Sequence, residues 1–221
     1  MTRKLKTGRR DPASGMTRSV VVFLHGYGAD GADLLGLAEP LAPHLPDTLF
    51  LAPDAPEPCA INPMGRQWFA IPRMHGATEQ EAAEGLERAA ADLDAFLDAM
   101  LEEEGVTPSQ VILFGFSQGT MISLHVAPRR AEALAGVVGF SGRLIGGPTR
   151  LAEEAVTKPP VILIHGDADD VVPFGHLHEA AEALSRAGFE TYGHVMKGTG
   201  HGIAPDGLSV ALTFLREKLP G

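Results

Sequence analysis

The chain has 221 residues, a formal net charge of −10, and an ordinary globular composition with 44% hydrophobic and 21% charged residues. This length suits one large α/β domain, and the negative charge argues against a nucleic-acid partner, which would need a basic face. The single cysteine, Cys59, excludes an intrachain disulfide. The sequence shows no membrane-spanning run and no signal-peptide pattern, so we expect a cytoplasmic protein without stable membrane insertion.

The N-terminal segment holds the only basic cluster of the chain: Arg3, Lys4, Lys6, Arg9 and Arg10. Glycine, proline and serine lie among and after these cations. We therefore predict that residues 1–18 form a flexible basic tail rather than a binding arm, and that residues 19–221 form a single domain.

Short apolar runs alternate with helical patterns along the rest of the chain. Strands are predicted at 20–24, 48–51, 111–114, 134–140, 161–164 and 190–196. Helices are predicted at 33–45 (with two prolines inside), 78–104, 118–126, 176–187 and 205–219. Several strands are continuously apolar, as in parallel strands that are buried on both faces. The order predicts one three-layer α/β fold with a mainly parallel central sheet.

The segment from Val111 to Gly119 has the pattern of a nucleophile elbow. A buried strand ends at Gly115, Ser117 follows two residues later, and Gly119 opens a helix. A strand that turns at once into a helix crowds its neighbours, so glycines are needed two residues before and after the apex. Ser117 is therefore a candidate nucleophile, provided that a base and an acid lie near it.

Glycine-rich and acidic loops after the later strands supply candidates for both groups. His201 is the best-placed base, since it lies in a glycine-rich loop between the last strand and the last helix. Asp167, Asp169 and Asp170 all follow the strand at 161–164, and position alone does not choose among them. Serine, aspartate, histidine is the chain order of α/β-hydrolases.

An oxyanion hole would need two backbone N–H groups beside the serine. Gln118 can supply one at a helix N-terminus, and the loop after the first strand can supply the other, most plausibly at Tyr27. The same loop also matches G-x-G-x-x-G at Gly26, Gly28 and Gly31, which leaves a nucleotide-binding module as a remote alternative. No spacing of His, Cys or carboxylates suggests a metal, and no cofactor is implied.

Together these motifs resemble the phospholipase/carboxylesterase family of small α/β-hydrolases, which includes acyl-protein thioesterases. The resemblance covers about 19–219 and rests on four segments: Phe23–Gly28, Gly115–Gly119 (G-F-S-Q-G), His165–Pro173 and Gly200–Gly202. It implies an α/β-hydrolase fold without a large cap domain and a triad of Ser117, Asp169 and His201. It also implies that Tyr27 and Gln118 are the oxyanion donors.

The resemblance further implies an apolar acyl groove formed by loops. The expected lining residues are Ile61, Trp68, Phe69, Ile71, Leu144 and Ile145. Trp68 could equally be a packing anchor for the long proline-rich loop at 54–76. Ala70 stands where the family often carries an acidic residue, so a contact that depends on an acid there is in doubt.

These features predict a serine carboxylesterase that cleaves small-molecule esters of small or medium acyl chains through an acyl-enzyme. Acyl-protein thioesterase or lysophospholipase activity is the alternative within the same enzyme class. A catalytically dead hydrolase fold used for binding is disfavoured by the intact triad. The sequence leaves the physiological substrate and the oligomeric state open, with a homodimer as one option.

Overall fold

The computed structural model describes residues 2–72 and 76–220, and its strands and helices lie within these two ranges. The strands are Thr7–Arg10 (β1), Ser19–Leu24 (β2), Thr48–Pro53 (β3), Glu57–Pro58 (β4), Arg66–Gln67 (β5), Val111–Phe116 (β6), Gly136–Phe140 (β7), Val161–Gly166 (β8) and Thr191–Met196 (β9). The helices are Gly31–Leu35 (α1), Ala38–Leu41 (α2), Glu79–Glu104 (α3), Gln118–Val126 (α4), Gly147–Glu154 (α5), Gly175–Arg186 (α6) and Pro205–Lys218 (α7).

Seven strands form one sheet in the order β1-β3-β2-β6-β7-β8-β9, and all neighbouring pairs are parallel except β1 with β3. The predicted mainly parallel α/β sheet is thereby confirmed. Strands β4 and β5 form a separate two-stranded hairpin inside the long proline-rich segment. Among the described residues, loops and this hairpin connect the elements, without a large cap domain.

Both faces of the sheet are covered, which explains the continuous apolar strands. Along β2, Val20 and Val22 belong to a core with α3, α4 and α6, whereas Val21 and Phe23 belong to a core with α1, α2 and α7. Successive side chains of a strand point to opposite faces, so a strand between two helical layers must be apolar at every position. The three predicted layers follow from this pattern.

The basic N-terminal segment is part of the sheet, so the prediction of a flexible tail was wrong for it. Residues Thr7–Arg10 pair with β3, with Thr7 opposite Pro53 and Arg10 opposite Phe50. The arginines bind carboxylates of the domain: Arg3 reaches Asp92 at 2.7 Å, and Arg9 pairs with Glu104. A polar strand is stable at this edge because its outward side chains remain in solvent.

The region predicted as one helix at 33–45 is instead two short helices and a 3₁₀ turn. Pro40 and Pro43 lack the N–H groups that a continuous helix would need. The predicted loop at 54–76 includes residues 73–75, which lie outside the described residues. Within the described ranges, no helix is both long and apolar enough to cross a membrane.

Candidate active site

Ser117 lies at the apex of a strained turn between β6 and α4. Its φ of 52° and ψ of −113° lie in a region that non-glycine residues rarely occupy. A β-carbon on Gly115 would lie 2.4 Å from the Thr120 nitrogen, and one on Gly119 would lie 1.7 Å from the Leu24 carbonyl oxygen. Only glycine fits at these two positions, as the motif predicted.

Of the three candidate aspartates, Asp169 alone contacts the candidate base. Its Oδ2 atom lies 2.7 Å from His201 Nδ1. Its Oδ1 atom accepts hydrogen bonds from the N–H groups of Val171 and Val172, each at 2.9 Å. Asp167 instead accepts from the Gly198 N–H at 2.6 Å and is exposed. Of the three aspartates, the structure therefore brings to the candidate base the one that the family resemblance implies.

The environment of Asp169 favours its charged form. Burial alone would raise its pKa, but hydrogen bonds from His201, Val172 and Val171 outweigh burial and hold the pKa below its ordinary value. A further histidine, His165, places its Nε2 atom 3.2 Å from Asp169 Oδ2 and 2.9 Å from the Val172 carbonyl oxygen. His165 is therefore part of this network, a role that its place in the sequence did not reveal.

His201 is half-buried and packs near Phe116, with ring centroids 4.9 Å apart. Ser117 and His201 border the same cavity. The side-chain hydrogen bonds among the described residues link His201 to Asp169 and do not link it to Ser117. In unliganded enzymes such a contact is often long and tightens only when substrate binds.

The loop after β2 lies directly against Ser117. A β-carbon on Gly26 would lie 3.4 Å from the Ser117 β-carbon. Tyr27 and Gln118 border the same cavity as Ser117. Neither of their N–H groups has a partner among the backbone hydrogen bonds of the described residues outside helices and strands. Burial, together with a side-chain hydrogen bond to Cys59, raises the pKa of the Tyr27 phenol to about 12.

His25 anchors this loop from inside the protein. Its Nε2 atom accepts the Ala55 N–H at 2.9 Å, so its Nδ1 atom carries the proton and donates to the Gly26 carbonyl oxygen at 2.8 Å. Burial lowers the pKa of His25, which keeps the ring neutral in this arrangement. The carbonyl oxygen of His25 in turn accepts the Trp68 indole N–H at 3.0 Å.

The side chain of Gln118 explains why glutamine follows the serine. It accepts the Trp68 backbone N–H at 2.9 Å and donates to the Phe69 carbonyl oxygen at 2.8 Å. Trp68 is fully buried in the core beside α3. The expectation that Trp68 lines the groove was therefore wrong, because its ring is the packing anchor of the long loop.

The cavity at Ser117 has a volume of about 570 Å³ and is mainly apolar. Three of the predicted lining residues border it: Ile61, Phe69 and Ile71. Leu144 instead borders a separate cavity of about 270 Å³ between α5 and α6, and Ile145 packs against the core. Both expectations were wrong, because these two side chains contact the neighbouring cavity and the core instead of the cavity at Ser117.

Further lining residues were not predicted from the sequence: Phe116, Met121, Arg143, Val171, Val172, Pro173 and His176. Phe116 is adjacent to Ser117, and Val171 to Pro173 directly follow the acidic loop. Their closeness to the motif residues was the available signal. Arg143 and His176 carried no comparable signal, since their place depends on how the loops after β7 and β8 converge.

The glycine loop after β2 lacks the geometry of a dinucleotide site. Asp30 caps α1 and accepts the N–H groups of Ala32 and Asp33, which occupies the helix end that a pyrophosphate would need. Helix α1 has only five residues. Among residues 2–72 and 76–220, no group of three or more His, Cys, Asp or Glu side chains could hold a metal ion.

Comparison with known proteins agrees with this geometry. Residues 12–219 match the model of the phospholipase/carboxylesterase family. The chain is 30% identical to the esterase YpfH of Escherichia coli over 92% of this chain and 84% of that protein. It is 28% identical to acyl-protein thioesterase 1 of Gibberella zeae over 95% and 94% of the two chains.

A solved structure is also closely similar. The crystal structure of esterase PE8 superposes with a TM-score of 0.93 at 42% identity and covers 98% of this chain and 100% of that one. The family resemblance and the α/β-hydrolase fold predicted from the sequence are confirmed. The chain belongs to the phospholipase/carboxylesterase family, and it is a carboxylic ester hydrolase.

Proposed function

We propose that the protein is a serine carboxylesterase in which Ser117 is the nucleophile, His201 the general base and Asp169 the orienting acid. The observation that carries the proposal is the 2.7 Å contact between Asp169 Oδ2 and His201 Nδ1 at the cavity that Ser117 borders. Two amides fix the other oxygen of Asp169, so the carboxylate holds the proton of His201 on Nδ1. The Nε2 atom of His201 is then free to accept the Ser117 proton.

The reaction follows from these roles. Ser117 Oγ attacks the ester carbonyl carbon while His201 takes its proton, and the carbonyl oxygen becomes an oxyanion facing the N–H groups of Tyr27 and Gln118. The imidazolium then protonates the leaving alcohol, and the acyl group remains on Ser117. Water, deprotonated by His201, attacks the acyl-enzyme, and collapse of the second tetrahedral intermediate releases the acid and restores Ser117.

The cavity indicates which esters enter. Its lining is mainly apolar, with Phe69, Phe116 and Met121 near the elbow, and its volume of about 570 Å³ accommodates small or medium acyl chains. The names of the esterase relatives favour oxygen esters. Because other relatives are named acyl-protein thioesterase, thioesters are the second candidate substrate class.

The experiment uses p-nitrophenyl esters of increasing acyl length, together with matched oxygen esters and thioesters of one acyl group. We expect hydrolysis of short and medium esters, and a loss in kcat on the order of 10⁶ for Ser117→Ala. A fluorophosphonate should label the wild type but not Ser117→Ala. Ser209→Ala is the control, because Ser209 bonds only within the exposed face of α7.

Undiminished labelling or hydrolysis in Ser117→Ala would show that the nucleophile lies elsewhere. A strong preference for the thioester of a matched pair would shift the assignment to the second substrate class.

A further inference from the structure

An arginine that has no ion-pair partner among the described residues borders the cavity at Ser117. Arg143 is exposed and lines the cavity together with Ser117 and His201. Within the described part of the chain it makes no ion pair and no side-chain hydrogen bond. Most other described arginines are paired: Arg129 with Glu154, Arg130 with Asp94 and Asp98, and Arg150 with Glu87, for example.

The backbone that presents Arg143 is packed onto the nucleophile elbow. A β-carbon on Gly142 would lie 3.0 Å from the Ser117 carbonyl oxygen and 2.4 Å from the Thr120 β-carbon. The preceding residue, Ser141, is fully buried and has a φ of 46°, one of two positive values among described non-glycine residues, and Ser117 has the other. This turn therefore fixes the origin of the Arg143 side chain close to the reacting atoms.

The turn keeps this conformation without a side-chain hydrogen bond to support it. Ser141 Oγ is buried and finds no partner among the described residues, and only its backbone N–H is bonded, to the Ile164 carbonyl oxygen at 2.9 Å. Strain and an unsatisfied hydroxyl each cost free energy, and such costs concentrate at functional sites.

The charges around the cavity leave Arg143 without a local counter-ion. The chain carries 28 acidic and 18 basic residues, yet no aspartate or glutamate is among the described residues that line this cavity. An arginine at a mainly apolar cavity, with its guanidinium unpaired, is suited to bind a carboxylate through two parallel hydrogen bonds.

We propose that Arg143 is a specificity-determining residue that binds an anionic group of the substrate, so that the preferred esters carry a carboxylate besides the ester bond. This inference rests on the proposed esterase function and names its substrate class. The carboxylate takes no part in bond making, since Ser117, His201 and water perform the chemistry described above. It can belong to the acyl chain or to the leaving alcohol.

The test compares charged and neutral esters in two arms. In the acyl arm, the mono-p-nitrophenyl ester of adipic acid is compared with p-nitrophenyl hexanoate. In the alcohol arm, 3-carboxyphenyl butyrate is compared with phenyl butyrate. The readout is the ratio of kcat/KM for the charged ester to that for the neutral one, which cancels any general effect of a substitution on folding or catalysis.

We expect Arg143→Gln to lower this ratio by about five- to tenfold in one arm. This is the effect expected when a hydrogen bond between charged groups that are partly exposed to solvent is lost. The arm that responds identifies the part of the substrate that carries the anion. Arg143→Lys should retain part of the preference for the charged ester, because lysine keeps the positive charge but cannot form the two parallel hydrogen bonds of a guanidinium group. Added salt should lower the wild-type ratio.

Arg216→Gln is the matched control, because it removes the same charge from an exposed arginine of α7 that borders a distant cavity. Its ratios should equal those of the wild type. Ratios that Arg143→Gln leaves unchanged in both arms would overturn the inference while the esterase assignment stands. Failure of the wild type to cleave even the neutral esters would instead overturn the proposed function.

Discussion

Substitution of Asp169 by asparagine isolates the role of one oxygen atom in the active site. The Oδ1 atom of Asp169 accepts two backbone N–H groups at 2.9 Å, from Val171 and Val172. In Asp169→Asn the amide oxygen must stay on these donors, because turning the NH₂ group toward them would leave two backbone donors unpaired, and the donor of Val172 is buried. That arrangement would cost about 1–3 kcal/mol for each unpaired group.

The NH₂ group of the asparagine is thereby directed at His201 Nδ1, 2.7 Å away in the wild type. His201 Nδ1 must then accept, so the proton of the neutral ring moves to Nε2, the atom that should take the proton of Ser117. In a serine hydrolase triad the same substitution lowers kcat by about 10⁴, which at 1.36 kcal/mol per tenfold is about 5.5 kcal/mol. We expect a loss of this order.

The assay is kcat for a short p-nitrophenyl ester, with thermal unfolding as a check on the fold. The loop provides its own controls. Asp170→Asn changes an exposed carboxylate beside the site, and Asp167→Asn keeps an oxygen for the Gly198 N–H. Both should remain within a few-fold of the wild type. A kcat within about tenfold of the wild type for Asp169→Asn would refute the tautomer argument.

Three further substitutions test other parts of the structure. Gln118→Ala should lower the free energy of unfolding by about 2–4 kcal/mol in urea, since two buried partners, Trp68 N–H and the Phe69 carbonyl oxygen, lose their hydrogen bonds; a smaller change would mean that water replaces them. His125→Phe should flatten the pH dependence of the free energy of unfolding. Burial, and to a lesser extent the charge of Arg129, lowers the pKa of His125 from 6.5 to about 4. Between these values only the unfolded chain takes up the proton, so the wild type should lose about 2–3 kcal/mol on acidification through this window; equal slopes for both proteins would contradict this assignment. His176→Ala should shift the preferred acyl length upward in a p-nitrophenyl ester series, since His176 borders both the 570 Å³ and the 270 Å³ cavities; an unchanged optimum would show that the cavities stay separate.

The central strands could be predicted from the sequence because their signal is local. β8 lies between two helical layers, so Val161 to Ile164 are apolar without a break. The strand continues two residues further, through His165 and Gly166. The apolar pattern did not predict this extension, because histidine is a polar residue. Its burial depends on a hydrogen bond to the Val172 carbonyl oxygen, which only the structure reveals.

The elements that were missed depend on partners far away in the chain. β1 contains no apolar side chain, and it exists because β3 offers an open edge and because Glu104 and Glu39 bind its two arginines. Helix α5 at Gly147–Glu154 was not predicted either, since Leu151 is its only buried side chain. Neither element contains enough apolar side chains to stand out in the sequence.

The candidate active site likewise has parts that the sequence could predict and parts that it could not. The elbow glycines and the candidate base could be located from the sequence, because each lies in its own loop or turn. Loop position alone did not separate Asp169 from Asp167; the family resemblance pointed to Asp169, and the physical difference is its contact with His201, 32 residues later. The burial of Trp68 needed Gln118, 50 residues later, and the His25 carbonyl oxygen, 43 residues earlier. These contacts join segments whose local sequence patterns give no information about each other.

Strand β1 also bears on whether the edge of the sheet can pair with another chain. The strand covers the edge of β3, a fully buried strand whose backbone groups on that side would otherwise be unpaired. Hydrogen bonding continues beyond the strand, where the Asp54 N–H donates to the Lys6 carbonyl oxygen at 2.7 Å. Removal of the first eleven residues, none of which lines the cavity at Ser117, would leave this sheet edge unpaired, and we expect the shortened chain to self-associate.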